Sequence, residues 1–131
     1  MLKLRSFKIR IADTHVRIVP DTDSAGCPFA GPGVDLRGAG AQQAIAQAQP
    51  ILQVLQDIEP GVIIRSIAVD LVRPRVTATL DPTTPLTDAR PRVIRIEDGM
   101  WLRVLVDKSR PLCEYLAVQA EQALQRRKNS G

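Results

Sequence analysis

Short stretches that alternate apolar and polar residues, joined by turn-forming residues, recur along much of this chain. Alternation with a period of two places apolar side chains on one face of a β-strand. The alternating segments are residues 16–18, 67–71, 76–80, 94–96 and 102–106. Because most of them are separated by turns rather than by helix-length segments, we predict an antiparallel sheet joined by hairpins.

The first predicted strand, residues 2–11, contains a change of phase. Leu2 and Leu4 alternate on even positions, whereas the apolar residues from Phe7 onwards occupy odd positions. A β-bulge at Ser6-Phe7 would restore one apolar face. The outer face of the hairpin formed with the next strand is predicted to carry three cations: Lys8, Arg10 and Arg17.

Two segments have apolar residues at the helical spacing of three and four. The first begins at Asp35, a predicted N-cap, and ends at Pro60, with Pro50 predicted to kink it or divide it into two short helices. The second follows Ser109, a predicted cap, with Pro111 in its first turn. The predicted order is ββ-α-ββββ-α. This is an α+β two-layer sandwich, with two helices on one face of an antiparallel sheet of about five to six strands.

The 131 residues are predicted to form a single domain, 1–131. Two Pro- and Gly-rich segments, 20–34 and 81–92, are predicted to be long loops, and residues 126–131 form a basic tail. Long loops are uncommon in compact domains and are often functional. The 20–34 loop is therefore a candidate binding or gating element.

Charge is segregated along the sequence, whose formal net charge is +4. Residues 1–20 contain five basic side chains and one acid, whereas residues 21–60 contain five acids and one arginine. Segregation of this kind is expected either for a basic sheet that faces an anion or for two regions that attract each other in the fold. Both interpretations stay open at this stage.

The first predicted helix lacks charge: none occurs from Gly38 to Gln56, where glutamine supplies the polar positions. A solvated helix normally carries Lys and Glu on its outer face. A Gln and Ala face can be buried against another molecule without desolvating a charge, so a protein contact and a plain solvated face are equal alternatives. The predicted contact residues are Gln43, Gln47, Ile51 and Val54.

Residue patterns typical of catalysis are scarce. His15, the single histidine, lies in a predicted turn beside Asp13. Cys27 and Cys113 form no CxxC motif, have no neighbouring histidine and are expected to stay reduced. The sequence therefore predicts no metal site, no cofactor and no catalytic residues.

The leading interpretation is a non-enzymatic protein-interaction module. It would be a small cytoplasmic accessory or adaptor subunit that self-associates or docks on a larger protein. Its expected partner is a protein or a second copy of this chain. No membrane association is expected, because the longest apolar runs are three or four residues, such as Val104-Leu105-Val106.

Binding of nucleic acid or another polyanion through an arginine-rich sheet face is the alternative. The small number of aromatic residues argues against binding by base stacking. The predicted contacts for this alternative are Arg37, Arg73, Arg75, Arg95 and Arg103, with Arg95 and Arg103 on one face together with Trp101. A second alternative is small-ligand binding or catalysis at the 20–40 loop, which offers Asp35, Arg37 and several glycines.

Overall fold

The computed structural model describes residues 3–20, 33–81 and 92–130, with side chains as far as residue 126. The elements are β1 (Leu4–Arg10), β2 (His15–Pro20), β3 (Val34–Arg37), α1 (Ala39–Gln47), α2 (Gln49–Ile58), β4 (Ile64–Asp70), β5 (Arg75–Leu80), β6 (Arg92–Ile96), α3 (Gly99–Lys108) and α4 (Arg110–Ser130). The strands form one antiparallel sheet in the order β3-β2-β1-β4-β5-β6. The predicted α+β class with an antiparallel sheet is confirmed.

Burial alternates along the strands, so the sheet has a covered face and an open face. In β2 and β5 every second residue is buried, while the residues between them are half-buried. Helices α1, α3 and α4 contact the strands, and α2 packs on α1 and α3. Among the described parts of the chain, only these helices cover the sheet, and they cover one face. The core between the layers includes Phe7, Ile9, Ile18, Ile67 and Leu80.

The order of elements is repeated: β1-β2-β3-α1-α2 is followed by β4-β5-β6-α3-α4. We refer to these as the first half and the second half of the chain. Phe7 pairs with Ile18 and Ile67 pairs with Ala78, so equivalent strand residues are 60 positions apart. The two halves therefore have the same local fold and the same strand register.

A β-bulge is part of this repetition. The register of β1 against β2 shifts between Leu4 and Ser6, and that of β4 against β5 shifts between Ile64 and Ser66. The bulge predicted at Ser6-Phe7 thus exists but lies one residue earlier. It makes both Leu4 and Phe7 buried, as the change of phase in the sequence requires.

The halves meet where β1 pairs with β4. Lys8 lies opposite Ala68, and Phe7 and Ile9 lie opposite Val69 and Ile67. Exchanging the halves leaves this register unchanged. A pseudo-twofold axis perpendicular to the sheet therefore passes through the Lys8–Ala68 pair, at the centre of the open face.

Two segments differ from the structure that their sequences predict. Asp35 is not a helix N-cap, because it lies within β3 and α1 begins at Ala39. Residues 102–106 are not a returning strand, because they belong to α3. In α3 the buried residues are Leu102 and Leu105, three positions apart, so the helical period of the apolar residues governs this segment.

The effect of Pro50 is confirmed: α1 ends at Gln47 and α2 begins at Gln49. Pro111 lies in the first turn of α4, also as predicted. Ser109, at the junction of α3 and α4, is nearly fully buried, and its hydroxyl donates a 2.7 Å hydrogen bond to the Val106 carbonyl rather than capping α4. Both helix pairs are thus bent at a proline-containing junction.

Candidate binding face on the open side of the sheet

The open face carries more cations than acids. Directly opposed residues of antiparallel strands share a face, so the strand registers assign each side chain. The cations of the open face are Lys8, Arg10, Arg17, Arg37, Arg75 and Arg95. Its acids are Asp35, Asp70 and Glu97. The excess of positive charge lies on the first half, which has four of the cations and one of the acids.

A three-residue polar cluster lies at the β2–β3 edge. Nε2 of His15 lies 2.9 Å from Oδ1 of Asp35, and Nη1 of Arg17 lies 3.1 and 3.2 Å from the two carboxylate oxygens. A carboxylate only accepts hydrogen bonds, so the His15 ring donates through Nε2. The cluster orients Arg17 and His15 on the open face.

The Asp35 carboxylate is held in its ionised form. Burial alone would raise the pKa of Asp35, but hydrogen bonds from His15 and Arg17 and their positive charge outweigh burial and lower it. Asp35 therefore compensates part of the charge of Arg17 at neutral pH. Lys8, two strands away on β1, forms no ion pair with Asp35.

Three cations of the open face form no ion pair within the described residues: Lys8, Arg37 and Arg95. Arg10 pairs with Asp13 at 2.5 Å, and Arg75 pairs with Glu97 at 3.3 Å. The Asp70 carboxylate accepts hydrogen bonds from the backbone N–H groups of the next turn. These exposed pairs contribute little to stability and can reorganise around an anion at small cost.

An open depression of about 220 Å³ lies over the centre of this face. Lys8, Arg17, Arg75, Ala68 and Thr77 are among the residues that line it, together with the acid Asp70. The depression reaches the pseudo-twofold axis at the Lys8–Ala68 pair and extends from it to one side, towards Ser6 and Asp70. It provides a concave surface that is bordered by cationic side chains.

The arginines predicted to bind anions do not all lie together. Arg37, Arg75 and Arg95 are on the open face, and Arg73 lies in the exposed β4–β5 turn beside Asp70. Arg103 is on α3, in the helix layer, so its predicted position beside Arg95 is wrong. The structure adds Lys8, Arg10 and Arg17, which the sequence placed on the outer face of the first hairpin.

The residues predicted to contact a protein divide into two sets. Gln43 is exposed and Gln47 is half-buried on α1. Ile51 and Val54 of α2 lie in the core, with 0% and 7% of their surface exposed. Any partner of this region would therefore contact α1 and α2 through their exposed uncharged residues: Ala39, Gln42, Gln43, Ala46, Gln49, Pro50, Gln53 and Gln56.

The sequence does not predict the contact between His15 and Asp35, because its local patterns place His15 in a turn and Asp35 at a helix N-cap. His15 is the first residue of β2, and only 13% of its side chain is exposed. The alternation in Val34-Asp35-Leu36-Arg37 is the signal for β3. It was obscured by the helical pattern that starts immediately after it.

Residues 21–32 and 82–91, most of the two predicted loops, lie outside the described residues, as does Cys27. Within the described ranges, no group of three or more His, Cys, Asp and Glu side chains is arranged to hold a metal ion. No described helix combines the length and the apolar composition that a membrane span needs. Comparison with protein-family models, curated proteins and solved structures finds no match.

Proposed function

We propose that this chain is an interaction module that binds an anionic partner on the open face of its sheet. The observation that carries this proposal is the excess of cations on a face that no described element covers. Lys8, Arg37 and Arg95 have no ion-pair partner among the described residues, so their charge is available to a ligand. The strands fix the backbone positions of these residues, so the entropy lost on binding comes from their side chains.

A pair of variants with the same net charge tests this proposal. Lys8→Gln with Arg95→Gln removes two cations from the open face, while Arg103→Gln with Lys108→Gln removes two from α3. Both variants lower the formal net charge from +4 to +2. We expect only the first to elute from a heparin column at clearly lower salt, since column binding depends on the number of ion contacts.

Equal retention of the two variants would contradict the proposal, because it would show that overall charge and not the open face determines binding. Failure of the unmodified protein to bind heparin at low salt would contradict it as well. Far-UV circular dichroism of each variant shows whether its fold is intact. All four substituted side chains are exposed, so we expect no loss of structure.

A second function, docking on a protein or on a second copy of this chain, is favoured by the uncharged outer surface of α1 and α2. No charged residue lies between Gly38 and Gln56, and charged residues are depleted in the centres of protein interfaces. Gln43→Glu with Gln49→Glu would place two charges there. A molar mass by light scattering that falls from that of a dimer to that of a monomer on substitution would support this function. If the unmodified protein is already a monomer, self-association is excluded.

A further inference from the structure

An uncharged strip two rows wide on β4 and β5 separates two groups of cations on the open face, and it ends at the charged Asp70–Arg75 pair. One row of directly opposed residues consists of Asp35, Arg17, Lys8, Ala68, Thr77 and Arg95. Ala68 and Thr77, the two residues between Lys8 and Arg95, are small and uncharged. In the neighbouring row, Ser66 of β4 and Thr79 of β5 continue the strip between Arg10 and Val93.

The width of this strip follows from the strand spacing. Lys8 is on β1 and Arg95 on β6, three interstrand steps away, which corresponds to about 14 Å between their backbones. The grooves of B-form DNA are about 6 and 12 Å wide and are bordered by a phosphate backbone on each side. The long side chains of Lys8 and Arg95 cover the difference between the strip and either groove.

Aromatic side chains do not project from the described part of this face. Phe7 is on β1 but is 2% exposed, and Trp101 and Tyr115 belong to helices. Single-stranded nucleic acid is bound largely through bases stacked on aromatic rings. A duplex backbone needs only cations and hydrogen-bond donors.

We infer that the open face binds double-stranded nucleic acid, with the cations of β1 to β3 on one phosphate backbone and those of β5 and β6 on the other. This rests on the proposed function and specifies its partner. Thr77 and Thr79 lie between the two groups and offer hydroxyl groups to the sugar-phosphate backbone. The contacts are to the backbone, so binding shows little dependence on base sequence.

The salt dependence of binding gives a quantitative test. If only the three cations without an ion pair contact phosphates, log K falls with log salt at a slope of about −2.7, and if all six do, at about −5.4. Fluorescence anisotropy of a short labelled DNA duplex, measured between about 50 and 200 mM salt, gives this slope. Lys8→Gln with Arg95→Gln is expected to reduce its magnitude by about 1.8, while Arg103→Gln with Lys108→Gln leaves it unchanged.

Two competitors identify the partner. We expect a single strand of the same length, and polyglutamate of equal charge, to bind at least about tenfold more weakly than the duplex, since neither presents two parallel rows of phosphates. A single strand or polyglutamate that binds as tightly as the duplex would overturn the inference and leave the proposed function standing. Absence of binding to all three polyanions at low salt would overturn both.

Discussion

Phe7 and Ile67 occupy equivalent positions in the two halves of the chain, and both are buried in the core. The next residues along the strands, Lys8 and Ala68, are also equivalent but differ in charge and in size. The covered face of the sheet has kept one pattern of burial in both halves, from Leu4 to Pro20 and from Ile64 to Leu80. The repeated fold therefore depends on the buried residues of the covered face.

On the open face several equivalent positions carry opposite charges. Arg10 corresponds to Asp70, and Asp35 corresponds to Arg95. In the helix layer the charged residues lie mainly on the second half. Helices α1 and α2 carry no charge as far as Gln56, whereas α3 and α4 carry both acidic and basic side chains. Because the same fold tolerates these exchanges, the charges of the open face are not needed for folding and are free to serve binding.

The largest expected effect tests whether the two halves contribute equally to one core. Ile9 and Ile67 lie opposite each other across the central strand pair, and both have 0% of their surface exposed. Ile9→Ala and Ile67→Ala should each lower the free energy of unfolding by about 2–5 kcal/mol, from lost burial and the cavity left behind. Urea unfolding followed by circular dichroism measures this. A small loss at one site beside a large loss at the other would show that the two halves do not contribute equally to the core.

Gly33 distinguishes the first half from the second, where Val93 takes the equivalent position. Its φ of +101° is rare for other residues, and an added Cβ would lie 2.7 Å from the Ile18 carbonyl oxygen. Gly33→Ala should therefore cost about 1–3 kcal/mol of stability. Gly61→Ala is the matched control, because Gly61 has a φ of +82° but no atom within 4 Å of an added Cβ. A cost no greater than that of the control would contradict the role of the close approach.

The Asp35 cluster exists only in the first half and gives a pH dependence. The pKa of Asp35 is lowered on folding, so its contribution to stability is present above its ordinary value of 3.8. That contribution is lost as the pH falls through the lower folded value. Asp35→Asn should remove less than about 1 kcal/mol at neutral pH, because the pairs are exposed, and should reduce the loss of stability on acidification. Unfolding measured from neutral pH to below 3.8 tests this, and an unaltered acid profile would contradict it.

The smallest effect is expected at the helix junctions. Ser109 is buried between α3 and α4, and Ala48 occupies the equivalent junction between α1 and α2. Ser109→Ala removes the hydrogen bond to Val106, but the Val106 carbonyl still accepts one from the Ser109 backbone N–H. The change in the free energy of unfolding should stay below about 1 kcal/mol. A loss of about 2 kcal/mol or more would show that the hydroxyl has a structural role without counterpart in the first half.

Strands and helix breaks were predictable where local sequence and tertiary structure agree. The alternation in β1, β2, β4 and β5 identified these strands, and the missing backbone N–H of Pro50 located the first helix junction. The third helix was not predictable in this way. Leu102, Val104 and Val106 alternate like a strand, and only packing of Leu102 and Leu105 on the core distinguishes the helical alternative.

The repetition of the fold is nearly invisible in the sequence. Over the first two strands of each half, only three equivalent pairs are identical: Arg5 and Arg65, Ser6 and Ser66, and Val16 and Val76. Burial conserves the apolar character of a position and not its identity, so two halves can diverge in sequence while keeping one register.

The candidate site was partly predictable from the sequence. The cations of β1 and β2 followed from alternation, whereas the position of Arg103 depended on the misassigned third helix.

The most direct test of the central claim is the set of backbone amide chemical shifts that change when a short DNA duplex is added to the ¹⁵N-labelled protein. The account predicts that the largest changes fall on β1, β2, β5 and β6, around Lys8, Arg17 and Arg95, and that they disappear at high salt. Changes confined to α1 and α2, or centred on Arg103, would contradict it.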